Sequence, residues 1–222
     1  MRTADFKSRA AARGTQWAIY AALACLLAVI LIAGYFHAQH LRIGEAEALA
    51  ENEATARGIA AFIEAREEGY LKVLQSYAGR FRFRETVKRR DRAEAMVHLR
   101  QLAEAFPELD RPFLTDPAGV LWAIYPEAPQ SLGRSFADRD WYQGVSRQWK
   151  PYMSEVYQQF RDQALAVALA VPIRDPDGTI IGIIVSPQRL GMIRRWILPL
   201  QVPGGDFYIV DRKGRLVFHR TR

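Results

Sequence analysis

The sequence predicts an α+β fold, and three observations carry that expectation. An uncharged apolar run near the N-terminus leads into an Ala- and Glu-rich stretch with helical spacing. After Arg111, Asp-x-x-Gly turn signals each sit between two β-prone runs. Helices come first and strands afterwards, the order of a mainly antiparallel sheet with helices beside it. The chain has 222 residues, half of them apolar, enough for a sizeable core in one or two domains. A quarter of the residues are charged, a composition unlike generic disorder. The net charge of +7 is too diffuse to mark a nucleic-acid binder. Cys25 is the single cysteine, which excludes an intrachain disulfide and a Cys-based zinc cluster.

The first element is the run from Trp17 to Phe36, which holds no charge. Twenty helical residues span about 30 Å, the thickness of a bilayer's hydrocarbon core. Trp17 and Tyr20 at one end and Tyr35 and Phe36 at the other match interfacial aromatics. Residues 1–16 carry Arg2, Lys7, Arg9 and Arg13 against Asp5, whereas Arg42 stands among Glu45, Glu47, Glu51 and Glu53 after the run. The positive-inside rule then predicts a cytoplasmic N-terminal tail and a single-pass span at 17–36. Residues 37–222 fall outside the cytoplasm, in the periplasm or beyond the cell. The competing reading, a cleaved signal peptide, expects a shorter apolar core and a small residue where Phe36 would stand. Cys25 reads as a small apolar filler of the span.

Residues 38–80 read as one long stalk helix, with Gly58 as the point at which an interruption would fall. Ile59, Phe62, Ile63, Tyr70, Leu71, Leu74 and Tyr77 recur at three- and four-residue spacing, so one face docks on a domain. The run at 79–92 holds seven bases and reads as a solvated connector and helix start. A second helix is expected over Ala93 to Ala105, ended by Pro107.

Two hairpins follow, turning at Asp116-Pro117-Ala118-Gly119 and at Asp175-Pro176-Asp177-Gly178. Pro187 to Leu200 reads as a helix or irregular link, and a third hairpin turns between Asp211 and Gly214. FLTDPAGVLW and YIVDRKGRLV share their pattern at an offset of 95 residues, which suggests a second copy of the first module. Residues 81–200 are then the first module, and 206–222 the start of a second, truncated one. A lone hairpin is marginal by itself.

No nucleophile elbow, phosphate loop, zinc-protease or dinucleotide motif is present in the sequence, so an enzyme is not expected. His37, His40, His98 and His219 are scattered, and no metal or cofactor is expected. Pro203-Gly204-Gly205-Asp206-Phe207 is similar to a cyclase GGDEF signature but lacks one acid, and it reads as a turn before a strand. The stretch from Gly133 to Gln158 instead concentrates guanidinium groups and aromatics: Arg134, Phe136, Arg139, Trp141, Tyr142, Tyr152 and Tyr157. An arginine fork binds a carboxylate through two charge-assisted hydrogen bonds, and aromatic walls exclude water. The same residues also suit a plain core with Arg139 paired to a neighbouring Asp.

Taken in order, the apolar run, the long helix, the D-x-x-G hairpin, R-D-W-Y-Q, S-E-V-Y and A-V-P-I-R-D-P-D-G resemble the double Cache sensor domain. Members of that family are extracytoplasmic, PAS-like ligand-binding regions of bacterial chemoreceptors, histidine kinases and diguanylate cyclases. The resemblance implies two PAS-like modules on a long helix, with ligand in the membrane-distal one. It implies a carboxylate held by Arg139 and Trp141, with Tyr142 beside them and Tyr157 matching a downstream tyrosine. Arg134 stands where amino-acid-binding members have a tyrosine, and Ser186 where they have the aspartate that holds an α-amino group. An organic acid is therefore expected in preference to an amino acid. The family also implies a homodimer through the long helix and a transmembrane signalling output. A stand-alone anchored binder with a vestigial pocket is the alternative.

Overall fold

The computed structural model describes residues 2–159, 162–197, 208–211, 213–214 and 216–219, without the side chains of residues 2–22, 24, 41, 43, 46 and 194. It divides into two compact units, Met1–Gly58 and Ile59–Arg222. Helix α1 runs from Arg2 to Gly79, passing Gly58 without interruption. Its Ala, Glu and Leu content favours helix, and one glycine costs only about 1 kcal/mol. From Cys25 to Phe36 every side chain is exposed, on all sides of the helix. Among the described residues no helix is long and apolar enough to cross a membrane, and the first side chains of the expected span lie outside them.

Within the second unit, Tyr70, Leu74, Tyr77 and Ala78 form the buried stripe of α1. The basic run is not a solvated connector. It folds into α2 (Phe81–Arg89), which buries Phe83, Thr86 and Val87. The apolar side chains recur three to four residues apart, and the bases between them occupy the outer face. Helix α3 (Arg92–Ala105) starts where the Asp91 carboxylate accepts the Glu94 N–H at 3.1 Å, and it ends before Pro107.

The hairpins form as expected. Strands β1 (Phe113–Thr115) and β2 (Leu121–Ile124) pair antiparallel, with Gly119 at a φ of +81° in the turn. Helix α4 (Asp140–Gln148) follows, then the short strands β3 (Tyr152–Met153) and β4 (Tyr157–Gln158). Strands β5 (Leu165–Arg174) and β6 (Ile180–Arg189) form the long central hairpin. Its turn places Gly178 at a φ of +90°. The sheet order is β2-β1-β6-β5-β3, with β4 also pairing on β5, and the pairings are antiparallel. Strand β6 covers the first part of the expected link, and α5 (Gly191–Ile197) the next. The third hairpin, β7 (Tyr208–Val210) and β8 (Leu216–His219), makes a separate two-stranded sheet. The Pro203–Asp206 turn lies outside the described residues, as does the start of the expected second module.

Side chains alternate across a strand, so the sheet has two different faces. Leu114, Val167, Leu169, Val171, Ile173 and Ile184 meet the buried residues of α1, α2 and α3. Phe113, Ala168, Ala170, Ile183 and Val185 meet Trp141 and Val145 of α4. The second face carries the candidate site.

Candidate functional site

The segment before α4 is laced onto the first hairpin. Leu121 N–H donates to the Arg134 carbonyl at 3.0 Å, and Phe136 N–H to the Gly119 carbonyl at 2.9 Å. Arg139 is the N-cap of α4, with extended backbone. Its carbonyl accepts from the Tyr142 and Gln143 N–H groups, both at 3.0 Å. This places the guanidinium at the rim of the aromatic face, half-exposed, with the Asp138 carboxylate 3.9 Å away.

Trp141, one residue into the helix, points into the core and is buried. Its ring lies 5.8 Å from Phe113, 6.1 Å from Phe136 and 5.9 Å from Tyr142 between centroids. The interior of the cluster is thus filled by its own rings. Tyr142 braces the first turn: its hydroxyl donates to the Pro117 carbonyl at 2.9 Å, and its ring closes on Gly119. A side chain at position 119 would meet that ring at 2.8 Å, a second reason for glycine there. Arg134 is exposed, and its guanidinium stacks on Phe136 at 5.5 Å.

Tyr157 arrives from the other side, on β4, opposite Ala166. Burial pushes its hydroxyl up to about 12, while the Arg139 charge pulls it down and Asp110 pushes it up. Arg139 and Tyr157 therefore share one electrostatic neighbourhood, and Tyr157 stays protonated as a donor at physiological pH. Ser186 is not gathered with them. It pairs with Leu169, shares the helix-side parity of Ile184, and donates weakly to the Asp110 carbonyl at 3.4 Å. Strand parity separates it from the rings, and parity depends on a register that spacing from Arg139 does not specify.

Two of the acids around the site, Asp110 and Asp140, are engaged. Asp110 accepts from Arg189 Nε at 2.7 Å, and Arg189 Nη1 lies 2.9 Å from Asp162. Asp140 accepts the Glu155 N–H at 2.8 Å and faces the Tyr152 hydroxyl at 3.4 Å. Sequence reading missed Asp110 and Arg189. They are 79 residues apart, and no local pattern joins them. Among the described residues no group of acids, histidines and cysteines is arranged to hold a metal.

An antiparallel sheet beside a long helix is the arrangement the sequence motifs anticipated. The sequence matches the Cache domain model dCache_1 over residues 42–222. The chain belongs to the Cache domain family. Solved Cache-like structures share its fold. The ligand-binding domain of the Campylobacter jejuni chemoreceptor Tlp3, in complex with 4-methylisoleucine, is 12% identical with a TM-score of 0.59, over 74% of this chain and 65% of that one. The V. cholerae histidine kinase DctB sensor domain is 17% identical with a TM-score of 0.58, over 76% and 66%. The Pseudomonas fluorescens chemoreceptor CtaA domain in complex with L-alanine is 18% identical with a TM-score of 0.57, over 77% and 72%. This chain thus spans 65% of the Tlp3 domain. No curated protein sequence matches it. Cache domains are sensor, ligand-binding domains of receptors rather than enzymes.

Proposed function

We propose that this Cache domain is the input module of a bacterial membrane sensor, and that it binds a small carboxylate-bearing metabolite. The observation that carries the ligand class is Arg139. Its guanidinium is half-exposed at the start of the helix that carries Trp141, and its charge acts on the buried Tyr157 hydroxyl. A carboxylate seated there gains an arginine fork and a neutral donor in a partly water-excluded setting. Trp141 and Tyr142 form the wall, and Arg134 adds a second positive charge at the rim.

An organic acid is favoured over an amino acid. An ammonium group needs a carboxylate aimed into the site, whereas Asp110 is held by Arg189, Asp140 by the Glu155 N–H, and the exposed Asp138 lies beside Arg139 itself. Ser186 on the far face supplies none. An amino acid is the second reading, because the Tlp3 and CtaA domains were solved with amino-acid ligands. It requires Asp110 to leave Arg189.

The anchor belongs to the same proposal. The exposed apolar surface over residues 25–36 surrounds the helix on all sides, as a lipid-facing helix does and a soluble one does not. Residues 17–36 form the span, the basic tail is cytoplasmic and the Cache domain is outside, with a homodimer through the stalk as the family expectation. Signalling then follows if ligand prefers one of two packings of residues 59–79 on the sheet, since equal affinity for both shifts nothing.

The test is thermal unfolding of the full chain in detergent micelles against organic acids, amino acids and amines. An organic acid raises Tm by mass action, and Arg139→Ala abolishes the rise. Tight binding of a free amino acid with no organic-acid response overturns the ligand class.

A further inference from the structure

A cleft lies in the same unit, beside the edge of the aromatic face that Trp149 marks. Its volume is about 630 Å³, within the usual range for small-molecule sites. It is lined by the end of α1, by α2, by the loop between α4 and β3, and by the β5–β6 turn. Trp149, which also packs against the aromatic cluster, is part of its lining, whereas Arg139, Trp141, Tyr142 and Tyr157 are not.

The charges in this cleft are unbalanced. Arg174 spends its guanidinium on two backbone carbonyls, those of Trp149 at 2.7 Å and Gly178 at 3.0 Å. Asp175, the acid in the lining, is neutralised by Lys88 at 2.6 Å. Two further cations remain, Arg84 and Lys150. Neither has an ion-pair partner among the described residues, and the Arg84 Nε is buried without a hydrogen bond. Two cations without ion-pair partners in one cleft favour an anionic occupant.

Most of the remaining lining is apolar, with Gln75 as its polar exception. Trp149 is half-buried there and takes a left-handed backbone, with a φ of +53°, at the C-terminus of α4, a position that favours glycine. A bulky residue held in that conformation costs about 1 kcal/mol or more and points to a use for its side chain. Pro151 and Pro172 add ring surfaces. An inorganic anion needs no such wall.

We propose that this cleft is a second ligand site, selective for an organic anion with a flat apolar body and one carboxylate. Arg84 and Lys150 bind the carboxylate, and Trp149 covers the body. An occupant contacts α1, α2 and the central hairpin together, which makes the cleft a second input that braces these elements.

The probe is benzoate, titrated calorimetrically into the full chain in micelles at low ionic strength. Saturable binding is expected, at least tenfold weaker for the neutral isostere benzyl alcohol. The titrations are made in the Arg139→Ala chain, so that the aromatic face does not contribute; benzoate still saturates there, and adding Lys150→Met, at an exposed position, or Arg84→Met weakens it at least fivefold. The proposal is overturned if benzoate does not saturate in the Arg139→Ala chain, or if adding Lys150→Met leaves its affinity unchanged. Saturation by inorganic phosphate in the absence of benzoate binding also overturns the ligand class.

Discussion

The two faces of the central sheet follow different rules, and strand β5 shows both. Toward the helices it presents Val167, Leu169, Val171 and Ile173, which fill the space themselves. Toward α4 it presents Ala168 and Ala170, and the room they leave is taken by aromatic side chains from elsewhere in the chain. The first face holds the fold together by burying branched aliphatics. The second gathers Trp141, Tyr142 and Tyr157 under an arginine rim. One strand therefore packs aliphatics and makes room for aromatics at alternate residues.

The largest expected effects test whether the faces are separable. Leu169→Ala removes a fully buried side chain from the helix face and lowers the unfolding free energy by about 2–5 kcal/mol. Trp141→Ala on the other face costs about 3–5 kcal/mol. Urea unfolding with and without a bound carboxylate distinguishes them. Leu169→Ala retains the ligand-dependent gain in stability, and Trp141→Ala loses it. Equal loss in both variants would break the distinction.

The helix face has one charged intruder. Glu67 of α1 is buried, and burial raises its carboxyl to about 7, with Arg66 pulling the other way. With the Gln188 amide turned so that its nitrogen faces the carboxylate, the two Glu67 oxygens lie 2.5 and 3.2 Å from it. The folded state holds this proton more tightly than the unfolded chain. Its contribution is favourable below about pH 4.5 and is lost as pH rises through about 7. The loss is on the order of 3 kcal/mol for a shift of this size. Glu67→Gln is therefore near neutral at pH 4.5 and stabilising at pH 8. Chemical unfolding across that range should show the slope flattening in the variant. An unchanged slope would place the titration elsewhere.

Gly144, in the middle of α4, sharpens the picture of the aromatic face. A Cβ there would lie 2.2 Å from a ring carbon of Tyr152. Alanine gains about 1 kcal/mol of helix propensity, but the overlap forces the ring to move at about 1–3 kcal/mol. Gly144→Ala should lower Tm, and Tyr152→Ala in the same chain should restore part of the loss.

Much of this organisation was legible in the residues. The Asp-led turns were visible because glycine takes positive φ at 119, 178 and 214 and aspartate satisfies the turn's N–H groups. Helix α3 was visible through its spacing and Pro107. Helix α2 was hidden, because Arg82, Arg84, Lys88 and Arg89 mask the short stripe of Phe83, Thr86 and Val87 beneath them. At the candidate site, Arg139, Trp141 and Tyr142 fall at one helix start, and Tyr157 follows on a strand that returns to it. The side of the sheet on which Ser186 lies was not legible, because it depends on the pairing of β5 with β6. Neither the Asp110–Arg189 pair nor the Glu67–Gln188 contact leaves a local pattern, since each joins distant segments.

The smallest expected effect on stability belongs to Arg139, and it separates a binding residue from a structural one. Its side chain makes no capping hydrogen bond, so α4 keeps its first turn when the guanidinium is removed. Its ion pair with Asp138 is long, at 3.9 Å, and Asp138 is exposed. Such pairs contribute about 0–1 kcal/mol. Arg139→Ala should therefore unfold within about 0.5 kcal/mol of the unaltered chain in the absence of ligand. Carboxylate affinity should fall at least tenfold, and Arg139→Lys should recover only part of it, because an ammonium lacks the planar fork. A large loss of stability in ligand-free Arg139→Ala would instead make the rim part of the packing, and the division between the two faces would no longer hold.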